Sequence, residues 1–239
     1  MTKLMRPQQY TAKLEDKIVY NPKFTHYFFE LIKPHRLQFQ AGQYVSIPVN
    51  DQGLRRSYSI CSTPSIEHGI EIVVDLTPGG PGSQFFQNLQ LGQQISFLAP
   101  LGDFVLTAPS TQQPLILVAT GSGIAPFRSM ILHLLQDQHD SRPLILYWGL
   151  RHAEDMIWQD EFQELSEHFS NFQFHPVLSQ APTEWPLCRG RVTDCLALHQ
   201  QPAQAHYYLC GSQAMIKDVK AILQQQNVAE QAISHEKFF

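Results

Sequence analysis

The sequence lacks the features that would place it in a membrane or on nucleic acid. No apolar run is long enough to cross a bilayer, and the strongest, PLILVATGSGIAP, is interrupted by glycines after a few residues. The N-terminal stretch MTKLMRPQQYTAKLEDK has no apolar core of the kind that a signal peptide needs. Basic side chains number 17 against 21 acidic ones, too few for broad binding to a phosphate backbone. We therefore expect a soluble protein without membrane insertion or a nucleic-acid partner.

Cysteine is scarce as well. The four cysteines are scattered and form no C-x-x-C pair, so the sequence predicts neither a zinc site nor an iron–sulfur cluster. The spacing is compatible with disulfides but does not require them, and a reducing cytoplasm fits the composition best. The histidines are dispersed and predict no metal-ligand cluster. The cysteines are Cys61, Cys188, Cys195 and Cys210.

The sequence does contain enough apolar material for a sizeable core, in two halves of different texture. Hydrophobic residues make up 43% and charged residues 16% of the 239 residues, which excludes global disorder. In the first predicted domain, residues 1–108, short alternating runs such as GQYVSIPV and GIEIVVDL predict an all-β barrel or sandwich. One helix is expected there, in GSQFFQNLQL, with Ser83 as its N-cap.

The second predicted domain, residues 109–239, follows a strand–helix pattern. LILVAT (115–120) and PLILYWG (143–149) are continuous apolar runs, as expected of parallel strands buried on both faces. HYYLCG (206–211) is a third, less uniformly apolar run. Amphipathic stretches lie between these runs, so the sequence predicts an open parallel α/β sheet.

A glycine-rich turn follows the first of these strands. In ATGSGIAPF, Gly121 and Gly123 leave the backbone bare at the start of a helix, whose free N–H groups suit a pyrophosphate. Pro126 lies in the first helical turn, where a dinucleotide fingerprint would have its third glycine. The turn alone is weak evidence, and a purely structural strand–helix turn is the alternative.

Two further positions follow predicted strand ends, where parallel sheets bind ligands. Arg151 lies near the place where a 2′-phosphate would be bound, which slightly favours NADPH over NADH; a solvated loop charge is the alternative. Cys210 and Gly211 end the third strand and would face the same crevice, although most free cysteines are small core residues.

The first half also contains RRSYSICSTP, in which strand alternation places Arg56 and Tyr58 on one face. Together with GGPGS, LGDFVL, GSGIAP and YLCGSQAM, in that order along the chain, this stretch resembles the ferredoxin–NADP(+) reductase superfamily. The resemblance extends from about Tyr10 to Phe239. It implies an N-terminal antiparallel β-barrel domain that binds FAD and a C-terminal open parallel α/β domain that binds NADPH or NADH.

The resemblance implies roles for residues on the flavin side. Arg56 would pair with the flavin phosphate through its planar fork, and Tyr58 would pack its ring on the isoalloxazine. Ser59 would hydrogen-bond near flavin N5, which requires the strand to bend or end there. Gly82 and Ser83 would lie at the helix start that receives the FAD pyrophosphate. The implied flavin contacts also include Ser57 and Gly80.

On the nucleotide side, the resemblance matches Gly121, Gly123 and Pro126 to the pyrophosphate turn, and Cys210 and Gly211 to the pair beside the nicotinamide. The C-terminal EKFF resembles an acid-plus-aromatic element, in which Glu236 is the acid and Phe238 or Phe239 covers the flavin; an aromatic end docked into the core is the alternative. The implied catalytic residues are Ser59, Cys210 and Glu236. The remaining implied nucleotide contacts are Thr120, Arg151 and Met215.

The function implied is that of a monomeric, flavin-dependent NAD(P)H oxidoreductase that passes electrons to a ferredoxin or flavodoxin. Two alternatives stay open: a reductase that uses flavin as a diffusible substrate, and a non-catalytic flavin-binding subunit for electron transfer or sensing. Five basic side chains in the first half form either a docking face for an acidic partner or an ordinary solvated surface. They are Lys13, Lys17, Lys23, Lys33 and Arg36.

Overall fold

The computed structural model of the chain describes residues 6–107, 112–199, 201–202 and 204–238. The chain divides into two compact units. We call Met1–Leu106 with Ala125–Asp137 the barrel unit, and Thr107–Ile124 with Gln138–Phe239 the sheet unit. The boundary between predicted domains 1–108 and 109–239 stays a prediction. No helix in the described ranges is long and apolar enough to span a membrane.

The barrel unit is built on one sheet of six antiparallel strands in the order β4-β3-β6-β1-β2-β5. An isolated bridge between Ile60 and Ile72 links the ends of the sheet, so that the barrel is nearly closed. This confirms the predicted antiparallel barrel. The strands are β1 (Gln8–Val19), β2 (Phe24–Lys33), β3 (Tyr44–Pro48), β4 (Arg55–Ser59), β5 (Gly69–Asp75) and β6 (Gln94–Leu101).

One helix, α1 (Pro81–Asn88), connects β5 to β6. Its N-cap is Gly80, and Ser83 lies within the helix rather than at its cap, so the predicted cap is wrong. The helix begins earlier because Pro81 has a preset φ and lacks only an N–H that the first turn leaves unpaired. Phe86 anchors α1 in the barrel core, where the Tyr27 hydroxyl donates to the Phe86 carbonyl over 2.9 Å.

A second helix, α2 (Ile124–Leu132), runs into a π-helical turn at His133–Asp137. Ala125–Asp137 belongs to the barrel unit. There Arg128 Nη1 donates to Glu71 Oε2 over 2.7 Å and to the Cys61 carbonyl over 2.9 Å. Glu71 Oε2 also lies 3.2 Å from His26 Nε2. Despite burial, these two neighbours hold the pKa of Glu71 below its ordinary value.

The sheet unit contains six parallel strands in the order β10-β9-β8-β7-β11-β12, which confirms the predicted open parallel sheet. HYYLCG is its fifth strand along the chain rather than the third, and all six of its residues are buried. The strands are β7 (Leu115–Thr120), β8 (Leu144–Leu150), β9 (Phe172–Leu178), β10 (Cys188–Arg189), β11 (His206–Gly211) and β12 (Ile233–Lys237). The helices that connect them are α3 (Gln159–His168), α4 (Val192–Leu198) and α5 (Gln213–Gln225).

Candidate cofactor sites

The barrel unit brings β4 against the start of α1. A Cβ atom on Gly82 would lie 2.5 Å from the Tyr58 hydroxyl and 3.4 Å from Arg56 Cγ. Only a residue without a side chain lets the helix approach the strand this closely. Arg56, Tyr58 and Gly82, which are far apart in the sequence, therefore lie in contact, and Arg56 and Tyr58 share one face of β4 as alternation predicts.

The tyrosine in this group is held by packing and stays protonated. The Tyr58 ring meets the Phe86 ring edge-on, with 4.8 Å between the ring centroids. Burial raises the pKa of Tyr58 to about 12, although the positive charge of Arg56 opposes the shift. At neutral pH the hydroxyl is therefore an uncharged donor, and the remaining ring surface is available to stack on a flat ligand.

The first turn of α1 has the chemistry of an anion site. The N-cap, Gly80, offers no side chain to the free N–H groups, and Pro81 occupies the first helical position. Unpaired N–H groups and the partial positive charge of a helix N-terminus attract phosphates. The exposed Arg56 guanidinium lies on the neighbouring strand. The donors of this region fit the pyrophosphate of FAD, and the Tyr58 ring fits its isoalloxazine.

The two serines of β4 are placed differently from Arg56 and Tyr58. Ser57 pairs with Ser46 of β3 and is exposed, whereas Ser59 pairs with Tyr44 and is buried. The strand ends at Ser59, which meets the geometric condition for the implied contact near flavin N5. Ser83, inside α1, is also buried. The roles implied for these serines stay predictions.

Arg56 offers a direct test of the flavin site. We expect Arg56→Ala to weaken FAD binding by roughly 10- to 100-fold, because a charge-assisted hydrogen bond contributes about 1.5–3 kcal/mol. The measurement is the quenching of FAD fluorescence on titration with apoprotein. Arg55→Ala is the matched control, since Arg55 Nε donates to Ser46 Oγ over 2.9 Å and stabilises the strand pair instead. Equal FAD affinity in both variants would remove Arg56 from the phosphate site.

The sheet unit has its own region of close backbone approach, at the ends of β7 and β11. Gly121–Gly123 forms a 3₁₀ turn after β7, in which Gly121 has a φ of +55°. A Cβ on Gly123 would run into the Cys210 carbonyl oxygen, and one on Gly211 would run into Thr120 Oγ1. Both glycines are therefore required for the ends of β7 and β11 to approach each other. Pro126 lies in the first turn of α2, as the sequence predicts.

Two residues that sequence reasoning did not single out hold this region in place. Trp148 Nε1 donates to the Gly121 carbonyl over 3.0 Å, and the Ser212 amide donates to Thr120 Oγ1 over 3.1 Å. Ser212 is also the N-cap of α5, where its hydroxyl accepts from the amide of the buried Met215. A serine just before an amphipathic stretch is a recognisable cap signal. Trp148 gives no such signal, because it lies inside an apolar run.

The predicted acid lies beside the predicted cysteine. Cys210 of β11 is paired in register with Glu236 of β12. Burial, and then the Glu236 charge, raises the pKa of the Cys210 thiol well above its usual range, so it stays protonated. Burial raises the pKa of Glu236 to about 7. Within the described part of the chain, no group hydrogen-bonds the buried Oε2 atom of Glu236. Because its pKa is about 7, this carboxyl can hold or release a proton near neutral pH.

The raised pKa of Glu236 predicts a specific pH dependence of stability. The folded chain binds this proton more tightly than the unfolded chain, so the free energy of unfolding falls as pH rises from about 4.5 to about 7. We expect Glu236→Gln to flatten that part of the curve in urea unfolding at pH 5 and pH 8. Glu230→Gln is the control, because Glu230 is paired with Lys220 over 2.8 Å. If Glu236→Gln leaves the slope unchanged, the carboxyl does not titrate in this range.

Arg151 and Phe238 each directly follow a strand of the sheet unit. Arg151 directly follows β8 and is exposed, and its carbonyl accepts from the Gln180 amide over 2.9 Å. The Phe238 amide donates to the Gly211 carbonyl over 3.0 Å, which extends the pairing of β12 with β11. Phe239, predicted to cover the flavin, lies outside the described residues.

Comparison with known proteins matches both units to oxidoreductase domains. Residues 11–106 match the profile of the oxidoreductase FAD-binding domain, and residues 117–221 match that of the oxidoreductase NAD-binding domain. A crystal structure of a cytochrome P-450 reductase from Amycolatopsis is 30% identical, with a TM-score of 0.88 over 97% of this chain and 70% of that one. The chain belongs to the ferredoxin–NADP(+) reductase superfamily. The matched profiles thus identify an FAD-binding domain followed by an NAD-binding domain, in the order that the resemblance implies.

Other similar proteins agree with this assignment. A ferredoxin–NADP(+) reductase from Neisseria gonorrhoeae, solved with FAD and NADP, shares the fold at 23% identity, with a TM-score of 0.81 over 98% of this chain and all of that one. The electron transfer component of anthranilate 1,2-dioxygenase from Acinetobacter baylyi is 32% identical over 85% of this chain. The reductase subunit of an aromatic O-demethylase from Amycolatopsis is 33% identical over 84%. The chain spans about three fifths of these two curated relatives, 59% and 61% of their lengths.

Proposed function

We propose that this reductase accepts electrons from NADPH or NADH on tightly bound FAD and passes them to a separate small redox protein, of ferredoxin or flavodoxin type, that serves an oxygenase. The main support for this proposal is the contact of Arg56, Tyr58 and Gly82 at the start of α1. It brings together donors for the FAD phosphates and an aromatic ring on which the isoalloxazine can stack. The names of the curated relatives, which are electron transfer components and reductase subunits of oxygenase and demethylase systems, support the class of final acceptor.

The chemistry divides between the cofactors and the chain. FAD supplies the conversion between hydride transfer from the nicotinamide and single-electron delivery to a partner. The residues of the chain bind and orient: Arg56 and the first turn of α1 hold phosphates, and Tyr58 supports the ring. In the sheet unit, the turn Gly121–Gly123 offers helix N–H groups to the dinucleotide. Glu236 can hold a proton at Oε2 around neutral pH.

Tight binding of FAD distinguishes this proposal from a reductase that uses diffusible flavin. A diffusible substrate does not need a dedicated phosphate site, whereas Arg56 and the start of α1, where Gly80 makes no side-chain cap, would supply one. We expect one FAD to remain with each chain through extensive dialysis. Its complete loss would favour the diffusible-flavin alternative.

The basic residues of the barrel unit give little support to a purely electrostatic docking face. Lys13 Nζ lies 2.9 Å from Glu15 Oε2 and 3.1 Å from Glu30 Oε2, and Arg36 Nη1 lies 3.4 Å from Glu67 Oε2. Lys17 donates to the Leu89 carbonyl over 2.8 Å. Two of the five positive charges, on Lys13 and Arg36, are thus balanced by nearby carboxylates, so we expect only a modest salt dependence for reduction of the partner.

The preference of the protein for NADPH or NADH tests whether Arg151 binds the 2′-phosphate. If its guanidinium meets the 2′-phosphate, Arg151→Ala should lower the NADPH/NADH ratio of kcat/KM by roughly 10- to 100-fold, since charged hydrogen bonds contribute about 1.5–3 kcal/mol. The ratio is measured in steady state with ferricyanide as acceptor. Arg142→Ala is the control, because Arg142 is paired with Asp140 over 2.7 Å. An unchanged ratio in Arg151→Ala would exclude this role.

A screen of acceptors tests the proposed function. The FAD-loaded protein is given NADPH or NADH anaerobically together with a ferredoxin, a flavodoxin, free FMN or ferricyanide, and reduction of each acceptor is followed by absorbance. We expect turnover with ferricyanide and with at least one protein acceptor at rates above that with free FMN. A preference for free FMN would favour the flavin reductase, and negligible turnover with every acceptor would favour a non-catalytic subunit.

A further inference from the structure

Two cysteines and a histidine meet in the sheet unit, outside the residues assigned to either cofactor. Cys188 lies in β10, Cys195 lies four residues into α4, and His199 directly follows that helix. The two cysteines form a disulfide, and Cys195 Sγ lies 3.7 Å from His199 Nδ1. One ligand atom from each of the three residues lies within 4.8 Å of the others. The sequence predicted neither this pairing nor a metal site, because a spacing of seven residues is not a zinc-finger spacing.

The reduced form of this group has the ligand set of a zinc site. A thiol reductant supplies two electrons and two protons to the disulfide and is itself oxidised, leaving two thiols. Two thiolates and one imidazole are soft and borderline ligands of the kind that Zn²⁺ prefers, and a three-ligand set leaves a fourth position for water. We propose that the reduced chain binds one zinc-class divalent cation through Cys188 Sγ, Cys195 Sγ and His199.

Binding of the cation to the reduced chain releases protons from the ligands. Both thiols lose a proton when the cation binds. In the oxidised chain, His199 Nδ1 donates to the Cys195 carbonyl over 2.9 Å, so this nitrogen carries the imidazole proton. Binding through Nδ1 moves that proton to Nε2 and breaks the bond to the carbonyl. Two protons are released in all, and no further redox change occurs.

The fold, and not only the disulfide, holds the three ligands together. β10 pairs in parallel with β9, and the Arg191 amide donates to Asp194 Oδ2 over 2.7 Å at the start of α4. An α-helix places positions i and i+4 on one face, as it does Cys195 and His199. The His199 ring is backed by His175, with 4.6 Å between the centroids. Packing of this kind orients a ligating imidazole, so the site survives reduction of the disulfide.

A second group of potential ligands, in the barrel unit, is less suited to bind a cation. His26, Cys61 and Glu71 also come within the same distance of one another. Arg128 Nη1, however, already neutralises Glu71 over 2.7 Å. A cation at this place would have to displace a buried ion pair, which is costly. Within the described residues, Cys188, Cys195 and His199 take part in no ion pair of this kind.

The test is a titration of the complete FAD-loaded protein with Zn²⁺ in competition with a chromophoric chelator, after reduction and removal of the reductant. We expect about one equivalent of Zn²⁺ to bind to the reduced wild type and to be lost in the oxidised protein and in Cys188→Ser. Cys188 is chosen because it is half-buried, whereas Cys195 is fully buried and its replacement is a greater risk to folding. Substitution by Co²⁺ should give the thiolate-to-metal charge-transfer absorption that only sulfur ligation produces.

The histidine has a matched control in the same unit. His168 Nδ1 contacts the Glu164 carbonyl over 2.8 Å, the same four-residue arrangement as His199 and Cys195 but without a cysteine. His199→Gln should lower Zn²⁺ affinity by more than about 100-fold, since even residues that only support a ligand contribute roughly 10- to 100-fold. His168→Gln should not, and both should keep wild-type turnover with ferricyanide. Equal binding by reduced, oxidised and Cys188→Ser protein, or a Co²⁺ complex without thiolate absorption, would overturn the proposal.

Discussion

Gly82→Ala is expected to weaken FAD binding by up to about 100-fold, because overpacking a well-packed contact costs about 1–3 kcal/mol. The added methyl would lie 2.5 Å from the Tyr58 hydroxyl, well inside van der Waals contact. The Tyr58 ring cannot simply move aside, since it packs edge-on against the buried Phe86. Either the strand or the start of α1 must shift, and both contribute to the proposed flavin site. Fluorescence titration of apoprotein with FAD measures the effect.

Two further variants separate this clash from a general disturbance of the helix. Tyr58→Phe in the Gly82→Ala background removes the clashing oxygen and leaves the nearest ring carbon, Cζ, at an ordinary contact distance of 3.8 Å. The double variant should therefore recover most of the lost affinity. Gly80→Ala should stay within a few-fold of wild type, because no heavy atom of a described residue other than its chain neighbours lies within 4 Å of its added methyl, and the backbone N–H groups are kept. Failure of the double variant to recover would show that the contact does not set the site.

Gly123→Ala is expected to slow reduction of FAD by NADPH or NADH by at least about 100-fold while the bound FAD is retained. Its methyl would run into the Cys210 carbonyl oxygen and lie 2.6 Å from the carbonyl carbon. Unlike the Tyr58 hydroxyl, these are backbone atoms of a strand that is paired on both sides, so no side-chain rotation relieves the contact. The turn that offers N–H groups to the dinucleotide must move, and displacements of about 1 Å can cost 10²-fold in rate. Anaerobic stopped-flow absorbance measures the rate.

Gly121→Ala is the comparison for this variant. Gly121 has a φ of +55°, but outside its own turn no heavy atom of a described residue lies within 4 Å of an added methyl. Its replacement should cost only about 1–2 kcal/mol of backbone strain, which is a moderate loss of stability. These two substitutions, on either side of Ser122, should thus differ by an order of magnitude or more in the rate of FAD reduction. Equal rates would mean that the approach of the turn to β11 is not required for dinucleotide binding.

The parts of the fold and site that the sequence predicts are those that follow from local pattern. The apolar runs of β7 and β8 indicate strands buried on both faces, and strand alternation places Arg56 and Tyr58 on one face of β4. The glycine turn after β7 is also visible, because its residue types are needed for its backbone geometry. Each of these features depends on residues close together in the chain.

Features that depend on long-range packing are not visible in the same way. β12 reads ISHEK, which is too polar to suggest a strand, yet it pairs with β11 at one edge of the parallel sheet. Gly82 gives no sign that the Tyr58 hydroxyl fills the place of its side chain. The Cys188–Cys195 pair joins a two-residue strand to a helix, and the pairing of that strand, β10, with β9 is not visible in the local sequence pattern.

The proposed function is tested by an anaerobic titration of the purified, FAD-loaded protein with NADPH and, separately, with NADH. Flavin absorbance in the visible range is recorded after each addition. We predict that about one equivalent of at least one nucleotide bleaches the flavin completely and that reoxidation by ferricyanide restores it. A protein that retains FAD but shows no bleaching with either nucleotide would contradict the assignment of this chain as an NAD(P)H-dependent reductase.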